Sequence, residues 1–142
     1  MKEKFKIHDK KVVIICFVVL FVLGLIGMGI SSQYLTSDTA RNILEKSFKA
    51  EVINYVGHNE GYALINIPAE SEEIALQNLR AAYLEMSTKK PNNDLDELGV
   101  VVHGKDNKVI LVSKVTVAQI INTDWSKNVS YTEFIKMANV QY

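Results

Sequence analysis

Two of the three histidines, His58 and His103, are the side chains best placed in this sequence for chemistry near neutral pH. Each stands in a short glycine-containing stretch with an acid close by. Glu60 accompanies His58 in Gly57-His58-Asn59-Glu60-Gly61, and Asp106 follows His103 in His103-Gly104-Lys105-Asp106-Asn107. If the two stretches are neighbouring turns, these four side chains could converge as a metal or pH-sensing cluster. The ordinary reading is stronger, because polar residues belong in turns on their own account. The acids Asp94, Asp96 and Glu97 lack the spacing and the glycine of a calcium loop and read as a solvated segment. Glu70, Glu72 and Glu73 cluster where a helix begins, where carboxylates balance the positive end of the helix dipole rather than work as an acid–base pair.

The signatures of covalent and cofactor chemistry are missing from the sequence. There is no G-x-S-x-G, no S-x-x-K followed by its partner motifs, no Walker loop, no G-x-G-x-x-G, no H-E-x-x-H and no paired C-x-x-C. The one cysteine, Cys16, lies in an apolar run, where it acts as a small hydrophobe. The aromatics Tyr55, Tyr62, Tyr83, Trp125, Tyr131, Phe134 and Tyr142 offer a binding patch on paper, but core and half-buried strand positions account for most of them. The expectation is a non-enzymatic protein that needs no cofactor and no metal.

What the chain states most clearly is where it sits. Val12 to Ile30 is nineteen residues without a charge, an amide or a proline. As a helix at about 1.5 Å per residue it matches the roughly 30 Å hydrocarbon layer of a bilayer. It is longer than the core of a secretory signal, and Gly29-Ile30-Ser31 is a poor cleavage site. The chain is formally neutral, but residues 1–11 carry five lysines against two acids, net +3, so the remainder carries −3. Basic residues stay on the cytoplasmic side of a span, which directs residues 1–11 inward and residues 34–142 outward. The acidic outer part is a poor match for nucleic acid. Within the span, Gly24, Gly27 and Ser31 share a helical face and would let a second helix approach closely.

The remaining elements follow from local signals. Asp38 to Ala50 reads as a helix, with nothing between Ser31 and Asp38 to prevent its continuing the membrane helix. Glu51–Val56 and Tyr62–Ile67 read as a hairpin, with Pro68 ending it. Ser71 caps a long amphipathic helix with Ala75, Leu76, Leu79, Ala82, Tyr83 and Met86 on its apolar stripe. Pro91 to Glu97 reads as a surface loop. Gly99–His103 and Lys108–Lys114 form a second hairpin, and the continuous run Val109–Val112 suggests burial on both faces or a central position in the sheet. Thr116 with Gln119 and Ser130 with Glu133 have capping-box spacing, so each opens a short helix. Trp125 falls between those helices, where its ring can cover a core edge.

The expected organisation is a basic arm (1–11), a transmembrane helix (12–30), a juxtamembrane helix (31–50) and an extracytoplasmic domain (51–142). The expected fold class is α+β: a small antiparallel sheet of about four strands in two hairpins, with helices packed on one face. The expected partners are the lipid bilayer and other envelope proteins, or further copies of the chain. A small subunit of a secretion, conjugation, pilus-like, division or phage-encoded assembly fits this plan. The alternatives are a ligand-sensing outer domain, or a holin-like or immunity membrane factor.

Overall fold

The computed structural model describes residues 33–57 and 61–142, so the apolar run 12–30 with Gly24 and Gly27, together with Ser31 and His58, lies outside the described residues. Among the described residues no helix is long and apolar enough to cross a membrane. Residues 34–142 form one compact unit of mixed α+β structure.

The unit opens with a two-residue strand, β1 (Tyr34–Leu35), followed by α1 (Ser37–Phe48). Between them Thr36 is extended (φ −93°, ψ 168°), and its hydroxyl accepts from the Thr39 N–H at 3.1 Å. This cap sets the start of α1, so the helix does not continue from the residues before it, contrary to the expectation from the sequence. No proline breaks the chain here; an N-cap side chain does. At the other end Lys49 takes the left-handed conformation (φ 51°), and its N–H reaches the carbonyls of Glu45 and Lys46. Ala40, Ile43, Leu44 and Phe48 form the buried side of α1.

Next come β2 (Asn54–Gly57), β3 (Tyr62–Pro68), α2 (Glu72–Met86), β4 (Lys90–Pro91), β5 (Glu97–His103) and β6 (Val109–Thr116). The chain ends with α3 (Val117–Asn122), α4 (Tyr131–Met137) and β7 (Val140–Gln141). Both expected capping boxes are present, Thr116 with Gln119 and Ser130 with Glu133. The expected apolar stripe of α2 is buried from Ala75 to Met86.

The sheet differs from expectation in number and direction. It has five strands in the order β2-β3-β5-β6-β7, and its central pair, β3 and β5, is parallel, with Tyr62 opposite Glu97 and Pro68 opposite His103. The two expected hairpins are there, but α2 joins them. Its 15 residues span about 22 Å at 1.5 Å each, close to the length of a seven-residue strand. The helix therefore carries the chain back to the starting end, and β5 runs beside β3 in the same direction. Helical crossovers produce parallel neighbours. The two-residue strands β1 and β4 pair with each other, Tyr34 opposite Lys90 and Leu35 opposite Pro91. The expected loop after Pro91 also turns inward at Leu95, which is buried.

The core lies between the helices and one face of the sheet. Ala63, Ile65 and Ile67 of β3, Leu98, Val100 and Val102 of β5, and Leu111 and Val115 of β6 point into it. Each fully buried Val, Leu or Ile among them contributes about 1.5–3 kcal/mol. The alternation continues through β6, where Ile110, Val112 and Lys114 are half-buried or exposed. The run Val109–Val112 is thus not buried on both sides; its strand instead lies inside the sheet between β5 and β7, the other position the run allows. A helical layer covers only one face, so one side of the strand remains at the surface.

Candidate functional site

The side of the sheet away from the core carries two rows of neighbouring side chains. Asn54, Asn66, Val101, Val112 and Gln141 lie in register across five strands, and Val56, Leu64, Gly99 and Lys114 across four. All of these are exposed or half-buried except Gly99. A Cβ at Gly99 would stand 2.7 Å from the Tyr62 hydroxyl and 3.0 Å from Leu64 Cδ1. The glycine therefore lets the Tyr62 ring lie across the sheet. Lys114 Nζ sits 5.9 Å from the centre of that ring and 2.9 Å from Glu97 Oε1. Its hydrogen bond to Glu97 raises the lysine's pKa above the ordinary value. The result is an apolar middle of Leu64, Val101 and Val112, bordered by an ordered polar corner and the Asn54–Asn66 pair. An apolar centre with a polar rim is the usual make-up of a protein-docking surface.

A second feature is a cavity of about 510 Å³ beside the carboxyl ends of β3 and β5 and the first turns of α2. Phe48, Pro68 and Ile74 supply apolar lining, and Lys49, Glu70 and Lys105 supply charge. The carboxyl ends of parallel strands are a common ligand position in sheets with helical crossovers. The lining holds no histidine and no cysteine, so what it offers a ligand is shape and charge. A groove of about 530 Å³ runs between α2 and residues 128–131, where Gln77 Nε2 donates to the Tyr131 hydroxyl at 3.0 Å.

Of the polar residues singled out from the two turns, His58 and Glu60 lie outside the described residues, and His103 and Asp106 each stay within their own turn. His103 is half-buried at the end of β5, with Nδ1 3.4 Å from the Asn107 carbonyl oxygen. Asp106 accepts from the Lys108 N–H at 3.2 Å and so closes its own turn. Convergence with the other turn required both hairpin tips at one end of the sheet. Parallel pairing of β3 with β5 instead places Gly57 and Gly61 at the Glu97 end and His103 at the Pro68 end. Among the described residues no three His, Cys, Asp or Glu side chains are grouped to hold a metal ion. Asp94 donates its N–H to Asn92 Oδ1, while the Asp96 and Glu97 N–H groups both reach the Gly61 carbonyl, so this acidic stretch braces the chain.

The aromatics divide. Trp125 stands 5.0 Å from Tyr83 and 6.0 Å from Phe134, and its Nε1–H donates to the Ile120 carbonyl at 2.7 Å. These three form a core cluster, whereas Tyr62 belongs to the open face. Sequence reasoning missed a buried polar chain in which the Tyr83 hydroxyl and Ser113 Oγ are 2.7 Å apart and Ser113 Oγ donates to the Ala138 carbonyl at 2.5 Å. The one available signal was a serine at an inward position of an otherwise apolar strand. Burial pushes the Tyr83 hydroxyl's pKa far above the ordinary tyrosine value.

Comparison with known protein families, with curated proteins and with solved structures finds no match to this chain.

Proposed function

We propose that this chain is a non-enzymatic, single-span membrane protein whose domain of residues 34–142 docks to other proteins outside the cytoplasm. Its role is that of a small subunit of an envelope assembly of the secretion, conjugation, pilus-like, division or phage-encoded kind. The observation that carries the reading is the uncharged run Val12–Ile30 behind Lys10 and Lys11, followed after Ser31, Ser32 and Gln33 by a domain with a core of its own. A run of that length and composition is suited to lipid. The open sheet face supports docking as the domain's task, and the net negative charge of the chain beyond residue 11 argues against nucleic acid as the partner.

The test uses the full chain in bacterial membranes. Alkaline washing leaves an anchored protein in the membrane pellet, and protease added outside, with any outer barrier opened, digests residues 34–142. Mild detergent extraction then yields a complex larger than the monomer. Release of the intact chain by the wash, or protection of the domain from protease, overturns the anchored reading. A strictly monomeric extract with no partner, unchanged by Gly24→Leu or Gly27→Leu, overturns the docking role.

A ligand-binding outer domain is the second reading. The cavity of about 510 Å³ favours it, being within the roughly 300–1,000 Å³ of small-molecule sites.

A further inference from the structure

The two edges of the five-stranded sheet are built differently. At one edge β7 has only two residues, and the neighbouring strand β6 has Lys108 before it and Lys114 within it. Short strands and lysines are the common protections of a sheet edge. At the other edge β2 is twice the length of β7, four residues, and carries no lysine. From Val52 to Gly57 there is no charge and no proline, only Val52, Ile53, Asn54, Tyr55, Val56 and Gly57. Ile53 is 58% exposed and Val56 57% exposed. A β-rich, uncharged terminal strand in a domain that completes its own core is a place for another strand to add.

We infer that β2 pairs antiparallel with β2 of a second copy of this chain, joining two five-stranded sheets into one. Two observations select a second copy as the occupant. First, the strand is compatible with itself. Antiparallel pairing about a two-fold axis within Asn54–Val56 opposes no like charges. It sets β-branched and aromatic side chains against one another, which are favourable cross-strand partners. Second, the surface is small. Two four-residue strands cover well under the roughly 1,200 Å² that a freely diffusing complex needs. Copies tethered in one membrane meet at a much higher effective concentration, so a contact of this size suffices for them and not for a soluble partner. Three residues separate the apolar run from β1, a reach of about 10 Å. The inference rests on the anchored reading given above.

The experiment is cysteine cross-linking of the full chain in its membrane, in a Cys16→Ser background. Asn54→Cys and Tyr55→Cys lie at or beside the axis, and Leu84→Cys and Val109→Cys are exposed controls on α2 and in the other hairpin. Mild oxidation is expected to give disulfide-linked dimers from at least one of the β2 cysteines and background from both controls. Adding Val56→Lys places a charge on the open edge of each copy beside the axis, and the dimer band is expected to fall to the control level. Trp125 emission checks that the fold is retained. β2 cysteines that cross-link no better than Leu84→Cys, dimers that persist with Val56→Lys, or a β2 adduct with a different protein each overturn the pairing. Alkaline washing of the same membranes keeps the two failures apart. A chain released by the wash fails as an anchored protein, whereas a retained chain without β2 dimers fails only in this pairing.

Discussion

Ser113 is the buried polar residue on which three parts of the fold converge: β6, α2 through Tyr83, and the end of α4 through Ala138. A serine hydroxyl has one proton, and here it goes to the Ala138 carbonyl, so the Tyr83 hydroxyl donates to Ser113. Tyr83→Phe removes one neutral hydrogen bond and leaves Ser113 its acceptor, at a cost of about 1 kcal/mol. Ser113→Ala removes more. It leaves the buried Tyr83 hydroxyl without an acceptor and the Ala138 carbonyl without its hydroxyl donor, at about 1–3 kcal/mol for each buried polar group. The expected total is about 2–6 kcal/mol, or roughly 8–24 °C in Tm at about 4 °C per kcal/mol for a domain of this size. The double variant no longer strands the tyrosine hydroxyl, so it is expected to be about 1 kcal/mol more stable than Ser113→Ala alone. Trp125, the only tryptophan in the chain and in ring contact with Tyr83, reports unfolding by its emission in detergent-solubilised full-length protein. If Ser113→Ala costs no more than Tyr83→Phe, or if the double variant loses the sum of the two singles, the three groups do not act as a chain and the reasoning fails.

The same tyrosine makes stability fall at high pH. Its folded pKa is raised by burial above the ordinary value of 10.0, so the stabilisation is complete below pH 10 and is lost as pH rises through the folded value. This contribution has a slope of about 1.4 kcal/mol per pH unit above pH 10, and Tyr83→Phe is expected to remove it from a pH series of melting curves. Lys49→Gly relieves a left-handed backbone (φ 51°) at the end of α1 and is expected to raise stability by about 1 kcal/mol, read as a higher Tm. Gly61→Ala has the opposite sign: φ is +72°, and the added Cβ would stand 2.5 Å from Asp96 Oδ2. A loss of about 1–3 kcal/mol is expected in the same melting assay.

Local chemistry made much of the domain legible before any coordinates. The caps at Ser71, Thr116 and Ser130 each involve one side chain and one nearby N–H, so sequence spacing is enough to find them. The stripe from Ala75 to Met86 is readable for the same reason. What sequence could not supply was anything decided between distant residues. Both hairpins were visible, but the direction of β5 beside β3 depends on where α2 returns the chain, and the hydrophobic pattern is the same for either direction. Two-residue strands such as β1, β4 and β7 carry no period to detect. The open face was hidden too, since a glycine at position 99 and a tyrosine at 62 acquire meaning only when the strands align them.

The small β1–β4 pair decides how the domain would bear a mechanical load. Any pull on the chain ahead of Tyr34 reaches the domain first through two residues matched to Lys90 and Pro91, with Leu35 fully enclosed behind them. Leu35 is fully buried and the Thr36 cap follows it, so tension on that end loads these contacts before the main sheet. This corner, and not the five-stranded layer, is where such a load first arrives.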